Sequence, residues 1–217
     1  MTEDETLEDL RRRLAPAIAD AAVFDGWSAE AVAQAATATG VDPALAAFAF
    51  REGGMAMISA WIDHVDATMA ASVSGSALSN LKIRERIRRL VWARLEAVAG
   101  REEALTRALS IMAMPRNLAA SARLGWRSAD AMWRLAGDTA TDYNHYSKRA
   151  ILGGIYAATL QVFARDRSED KAETRAFLER RIDGIMRFEK TKARFLRKPD
   201  ERFSMTRLLG RMRYPAR

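Results

Sequence analysis

GWSAEAVAQAATATGVDPALAAFAF, from Gly26 to Phe50, reads as two short helices joined by a tight turn. Ser28 stands where its hydroxyl can satisfy the free amides at the start of AEAVAQAATAT, and Gly40 stands where a helix ends. Asp42-Pro43 then restarts the chain, because Asp caps a helix and Pro fits its first turn. Working outward, helical periodicity continues on both sides. A first helix is predicted over 5–24, ending before Asp25-Gly26. Gly53-Gly54 breaks the chain again, and a longer apolar helix runs to Val73. SVSGSALS (72–79) is the best linker, and further helices are predicted near 79–99, 101–113, 116–136, 140–165, 171–196 and 201–213. No period-2 strand pattern occurs. With 49% hydrophobic residues and only 12 Gly and 5 Pro in 217, an all-α fold with a sizeable core is expected. Three parts are expected: helix-turn-helix-like helices over 1–73, a larger helical domain over 79–199, and a terminal helix over 200–217.

The Gly26–Phe50 arrangement resembles the N-terminal domain of TetR-type repressors. In a DNA reader the second helix must offer side chains to phosphates and base edges. VDPALAAFAF offers Ala, Leu and Phe, and no Lys or Arg occurs from Ser28 to Phe50. The first 80 residues carry 4 basic and 12 acidic side chains, so this half should repel a duplex. No nucleic-acid partner is expected, although a ligand-responsive regulator is the alternative that this resemblance keeps open. The remaining residues carry 31 basic and 16 acidic groups, and an anionic partner should meet that half.

Catalytic chemistry is poorly supplied. Cysteine is absent and only His64 and His145 occur, so thiolate sites and histidine clusters are excluded. No GxGxxG, Walker loop, GxSxG or HExxH appears. Asp142 and His145 have the i, i+3 spacing of paired metal ligands, but no second such pair accompanies them. His64, beside Asp63 and Asp66, reads as a partly exposed helix residue. No enzyme, metal or cofactor is expected. The acidic opening is neither a signal nor an Arg-rich transit peptide, and the longest apolar run, Ala150–Ala164, is short for a membrane span. These features predict a soluble intracellular protein.

Between Gly137 and Phe163 a crowded polar and aromatic head meets an oily tail. Asp138, Thr139, Thr141 and Asp142 suit a helix start. Asp142, His145, Tyr146 and Arg149, at i, i+3, i+4 and i+7, share one helical face. That face suits a protein interface, where Tyr and Arg often anchor, or a cap with Tyr packed on a neighbour. Gly153 and Gly154 allow close approach of another backbone or a ligand.

Five motifs resemble the Coq-nine family of ubiquinone-biosynthesis proteins. They are ALSIMAMPRN (Ala108–Asn117), DAMWRLAGD (Asp130–Asp138), TDYNHYSKRA (Thr141–Ala150), IYAAT (Ile155–Thr159) and FLERRI (Phe177–Ile182). The resemblance implies a TetR-repressor-like fold that has lost DNA binding and encloses a lipid cavity. It implies a non-enzymatic protein that presents an isoprenoid quinone intermediate to the di-iron demethoxyubiquinone hydroxylase. Isoprenoid quinone or phospholipid is the expected ligand. Met112, Met114, Met132, Trp133, Gly153, Gly154, Ile155 and Phe163 are the expected cavity walls, since a Met and aromatic lining adapts to a long isoprenoid. The Asp142, His145, Tyr146 and Arg149 face is the expected dock for the hydroxylase; the family commonly has Trp at the His145 position. A homodimer is expected, peripheral on the cytoplasmic face of a bacterial inner membrane.

The tail DERFSMTRLLGRMRYPAR is the expected membrane contact, with packing of its stripe on the protein's own body or between copies as the alternatives. On a helical wheel Met205, Leu208, Leu209 and Met212 form one stripe, flanked by Arg202 and Arg213, with Arg207 and Arg211 opposite. An apolar stripe on an otherwise polar, basic helix describes an interfacial helix, and the family has a membrane-binding helix there. Burial of a Leu or Met contributes roughly 1.5–3 kcal/mol at most, and each basic group near an anionic surface about 1 kcal/mol. The two contributions are comparable, so liposome co-sedimentation should rise with anionic lipid and fall with salt. Leu208→Glu with Leu209→Glu should abolish it even at low salt. Equal sedimentation of a chain truncated before Asp200 would assign the membrane contact elsewhere.

Overall fold

A computed structural model describes the backbone of residues 5–73, 78–138 and 143–196, with side chains over 5–73, 78–138 and 145–184. Asp142 and the whole terminal stripe from Arg202 to Arg213 lie outside the described residues. Two compact units divide at Leu178 and Glu179. The first runs through the 72–79 stretch expected as a linker, and it holds the cavity and the surfaces of interest.

Among the described residues the chain is helical and contains no strand. The helices are α1 (Leu7–Asp25), α2 (Ala29–Thr39), α3 (Pro43–Ala49), α4 (Gly54–Ser72), α5 (Ile83–Val98), α6 (Glu102–Met112), α7 (Leu118–Leu135), α8 (Tyr143–Arg165) and α9 (Ala172–Leu196). Each of the first breaks has its chemical cause. The Ala31 amide donates to Ser28 Oγ at 3.3 Å, and the Leu45 amide to Asp42 Oδ1 at 2.8 Å. Gly40 is left-handed (φ 66), and the Val41 amide reaches back to the Ala36 carbonyl at 2.9 Å. That is the Schellman closure, which needs a residue tolerant of positive φ. Gly137 ends α7 in the same manner (φ 86), with the Asp138 amide on the Trp133 carbonyl at 3.0 Å.

α1 packs on α2, α3, α4 and α6, while α4 carries α5 and α7, and α8 packs on α6 and α7. One buried side chain joins the two halves of this core. Trp27, at the start of the turn into α2, stacks on Trp61 of α4 (5.2 Å) and donates its indole N–H to the Ala104 carbonyl of α6 at 2.9 Å. Indole burial supplies apolar area, and its one polar atom is satisfied. The outward residues of α3 are Pro43, Ala44, Ala47 and Phe48, so the helix that would lie on DNA presents an apolar face.

α8 and α9 are joined through Asp166, only 4% exposed. Its carboxylate accepts from the Ser168 amide (2.8 Å) and hydroxyl (2.5 Å) and from the Thr174 amide (2.8 Å) and hydroxyl (2.5 Å). Burial opposes its ionisation, but these four donors outweigh it and hold the carboxyl well below the ordinary range. A depressed folded pKa contributes stability that is present above the unfolded value, about 3.9, and is lost as pH falls below it. Asp166→Asn should destabilise the protein at neutral pH by about 1–3 kcal/mol. It should also flatten the acid limb of thermal stability below about pH 4. An unchanged melting temperature at pH 7 would remove Asp166 from this role.

Candidate functional site

α4, α5, α6, α7 and α8 surround a cavity of about 250 Å³. Its walls are mainly apolar: Ile58, Trp61, Ile62 and Val65 from α4, Val98 from α5, Leu105, Leu109 and Met112 from α6, Leu124 from α7, and Leu160 from α8. α7 and α8 meet beside it at two glycines. A Cβ on Gly153 would lie 3.9 Å from the Gly125 carbonyl, an ordinary contact, and both residues line the space.

The polar part of the wall is concentrated. Arg94 of α5 is 2% exposed and forms an ion pair with Asp66 of α4. Ser128 of α7 donates to the same carboxylate at 3.0 Å. The guanidinium lies 4.7 Å from the ring centre of Tyr156 on α8. Arg94 Nε is buried, and among the described residues no protein group accepts from it. One water occupies about 30 Å³ in the liquid and ligand pockets commonly span about 300–1,000 Å³. The space therefore suits a ring or a short stretch of hydrocarbon, and a whole long isoprenoid would extend beyond it.

Of the residues expected as walls, Met112 and Gly153 line this cavity. Met114 is exposed beyond the end of α6, and Gly154 faces outward with nothing within 4 Å of a Cβ position. Met132 is fully buried in the core away from the cavity lining. Trp133 turns to the start of α8, donating to the Lys148 carbonyl at 3.1 Å, with the Lys148 ammonium 5.3 Å from its ring centre. Ile155 is half-buried outside the lining, and Phe163 is buried under Lys171, whose ammonium lies 4.7 Å from the ring centre. Arg94, Tyr156 and the α4 residues are walls that the sequence does not single out. Periodicity marks a buried face but not which buried residues border a void.

A wider open groove of about 1070 Å³ lies along α1, α4 and α7. Its charges pair across it and along it: Arg127 with Asp63 at 2.5 Å, Arg12 with Glu8 at 3.2 Å, and Arg11 with Glu52 at 3.6 Å. Burial raises the Asp63 carboxyl, opposed by Arg127. His64 Nε2 is 3.5 Å from the Thr68 hydroxyl, and partial burial, then Arg101, lowers its pKa. No group of three His, Cys, Asp or Glu suited to a metal exists among the described residues.

The expected docking face is divided. Tyr146 is 62% exposed, His145 is half-buried, and their rings meet edge-on at 5.1 Å. Trp126 of α7, 37% exposed, lies 6.0 Å from Tyr146 and adds an aromatic that the α8 face alone does not contain. Arg149 does not share this surface. It is 2% exposed and donates to Asp130 at 2.5 Å, to Asp138 at 3.3 Å and to the His145 carbonyl at 3.0 Å. Lys148 joins Asp138 at 2.7 Å. The two acids of DAMWRLAGD thus clasp α8 to α7, and the opposite charges of Lys148-Arg149 one motif later are the signal for it. No helix among the described residues is long and apolar enough to cross a membrane.

An apolar cavity inside a helical body fronted by helix-turn-helix-like helices defines a TetR-regulator-type fold without the basic reading face. A TetR transcriptional regulator from Nitrosomonas europaea superposes with a TM-score of 0.63 at 22% identity, covering 80% of this chain and 96% of that one. Residues 118–189, which hold α7, α8 and their clasp, match the COQ9 family model. The mitochondrial ubiquinone biosynthesis protein COQ9 of Rattus norvegicus is 32% identical over 188 residues, 84% of this chain and 60% of that protein. Its counterpart in Bos taurus is 34% identical over 189 residues, 84% of this chain and 59% of that protein. The chain is similar to these COQ9 proteins over most of its own length, and spans about 60% of the length of these relatives.

Breaking a buried pair leaves an uncompensated charge, so Arg149→Ala should cost about 3–5 kcal/mol. Arg149→Lys should recover only part, because a single ammonium cannot reproduce the fork between two carboxylates. Chemical denaturation measures both. A loss for Arg149→Ala below about 1 kcal/mol, the range of exposed pairs, would return Arg149 to the surface.

Proposed function

We propose that the protein is a non-enzymatic lipid-binding accessory protein of ubiquinone biosynthesis. It takes up an isoprenoid quinone intermediate at a membrane surface and presents it to the di-iron demethoxyubiquinone hydroxylase. The observation that carries this reading is the apolar cavity, whose α7 and α8 walls fall in the region that matches the COQ9 family model. The names of the relatives supply the pathway. Its volume accommodates the head or the first part of the tail, and the remaining chain would leave between helices or stay in the bilayer. Phospholipid is the second ligand such walls would accept. The membrane contact falls to the terminal stripe of Met205, Leu208, Leu209 and Met212 with its arginines.

The regulator reading draws on the TetR-type fold, but a fold does not carry its function with it. α3 itself carries no Lys or Arg to meet phosphate, and Arg51, just past its end, lies over the Phe48 ring at 4.8 Å. Sequence-specific gel shift at low salt would favour that reading. Solvent extraction of purified protein, with the lipid identified by mass spectrometry, tests the carrier reading directly; recovery of no quinone or isoprenoid lipid after expression in a ubiquinone-making host counts against it.

Docking of the hydroxylase is assigned to the Trp126, His145 and Tyr146 face. Exposed aromatics at an interface centre are frequent hot spots, each worth about 2 kcal/mol or more. Trp126→Ala with Tyr146→Ala should therefore weaken capture of the hydroxylase at least about thirtyfold. Thermal stability should change little. Undiminished pull-down by the folded variant would place the dock elsewhere.

A further inference from the structure

We infer that the cavity opens to the surface where the end of α6 meets the crossing of α7 and α8, and that Gly125 keeps this opening wide enough for a hydrocarbon chain to pass. The inference rests on the carrier reading above and adds where the ligand enters and where its tail leaves.

Burial along the cavity wall is one-sided. On α4 and α5 the lining residues are buried, except Ile62, which is half-buried. The solvent-accessible part of the wall is gathered on the other side: Met112 and Ala113 at the end of α6, Ser121 and Gly125 on α7, Gly153 and Ala157 on α8. Ala113 and Ala157 have one side-chain carbon each, and both are exposed while bordering the void, which places them at its rim.

Packing does not require glycine at 125. The residue lies inside α7 without a positive φ, and a Cβ there would meet nothing within 4 Å. Alanine would fit and would favour the helix. What glycine supplies is the missing side chain, at the point where the Gly153 backbone comes close from α8. The rim also suits an apolar passenger. Among the described residues it carries no charged side chain, and the Ser121 hydroxyl is engaged with the Met112 carbonyl at 2.9 Å. A hydrocarbon chain crossing it strips water from no ion. A long isoprenoid extends beyond a cavity of about 250 Å³, so its tail must cross the wall, and this part of the wall offers an accessible, uncharged path.

The test reads exchange rates, because a port acts on the passage and not on the bound state. The full chain is mixed by stopped flow with 2-decyl-1,4-benzoquinone, a quencher of tryptophan emission, in a fixed detergent. Trp61 of the cavity wall reports entry, and dilution of the complex reports release. Gly125→Leu places a branched side chain in the opening. Association and dissociation should both slow by about tenfold, in the same proportion, with Kd unchanged. Gly125→Ala should slow both to a smaller extent. Gly154→Leu adds the same side chain to the outward side of α8, outside the lining, where a Cβ also meets nothing within 4 Å; it should exchange ligand as the wild type does. Unchanged rates in folded Gly125→Leu, or a change in only one of the two, overturn the inference and leave the carrier reading intact. Equal slowing by Gly154→Leu does the same. Absence of probe binding to the wild type overturns both. If Gly125→Leu does not fold, Gly125→Ala decides by the same criterion.

Discussion

The ion pair between Arg94 and Asp66 is the constraint around which the helical body is arranged. It gathers α5 and α4, reaches α7 through Ser128, and lays its guanidinium on Tyr156 of α8. Four of the five helices that wall the cavity are therefore registered by one side chain. An apolar cluster of the same volume could hold these helices as tightly, because desolvation consumes much of what a buried pair gains.

α7 and α8 answer to a second charged clasp at their other end. Asp130 and Asp138 on one side meet Arg149 and Lys148 on the other, and the Schellman turn at Gly137 sets Asp138 in place. The turn and the clasp depend on each other. Gly137 takes the positive φ that aims the chain, and Asp138, the next residue, receives the two cations of α8. The Trp133 indole then closes the corner on the Lys148 carbonyl. This accounts for the spacing of the motif that the sequence displays, without invoking chemistry at its acids.

Helix type and the first boundaries were legible because capping residues act locally. Ser28, Gly40 and Asp42 each satisfy groups within a few residues of themselves, so their roles follow from spacing alone. The cavity was not legible in that way. Met132 and Phe163 have the size and polarity of wall residues and are fully packed in core, whereas Val65, Leu105 and Leu160 border the void. Burial follows from periodicity; adjacency to a void depends on where neighbouring helices diverge. Arg149 shows the same limit with charge. Its i+7 position put it on the face of Tyr146, but the helix pair has two acids waiting beneath that turn, and electrostatics decided its direction.

The aromatic face and the cavity share their supports. Gly125 lines the void, and Trp126, its neighbour on α7, projects to the surface. Gly153 lines the void from α8, and Tyr146 lies two turns earlier on the same helix. Imidazole at position 145 is smaller than indole, but Trp126 places an indole 6.0 Å from Tyr146, so the face retains a large aromatic area. Close-packed interiors transmit displacement rather than absorb it. A change in the separation of α7 and α8 at the two glycines is therefore felt by both aromatic rings, while the Arg149 clasp limits how far the helices can part. In such an arrangement one helix pair supplies both the aromatic face and two of the five walls of the cavity.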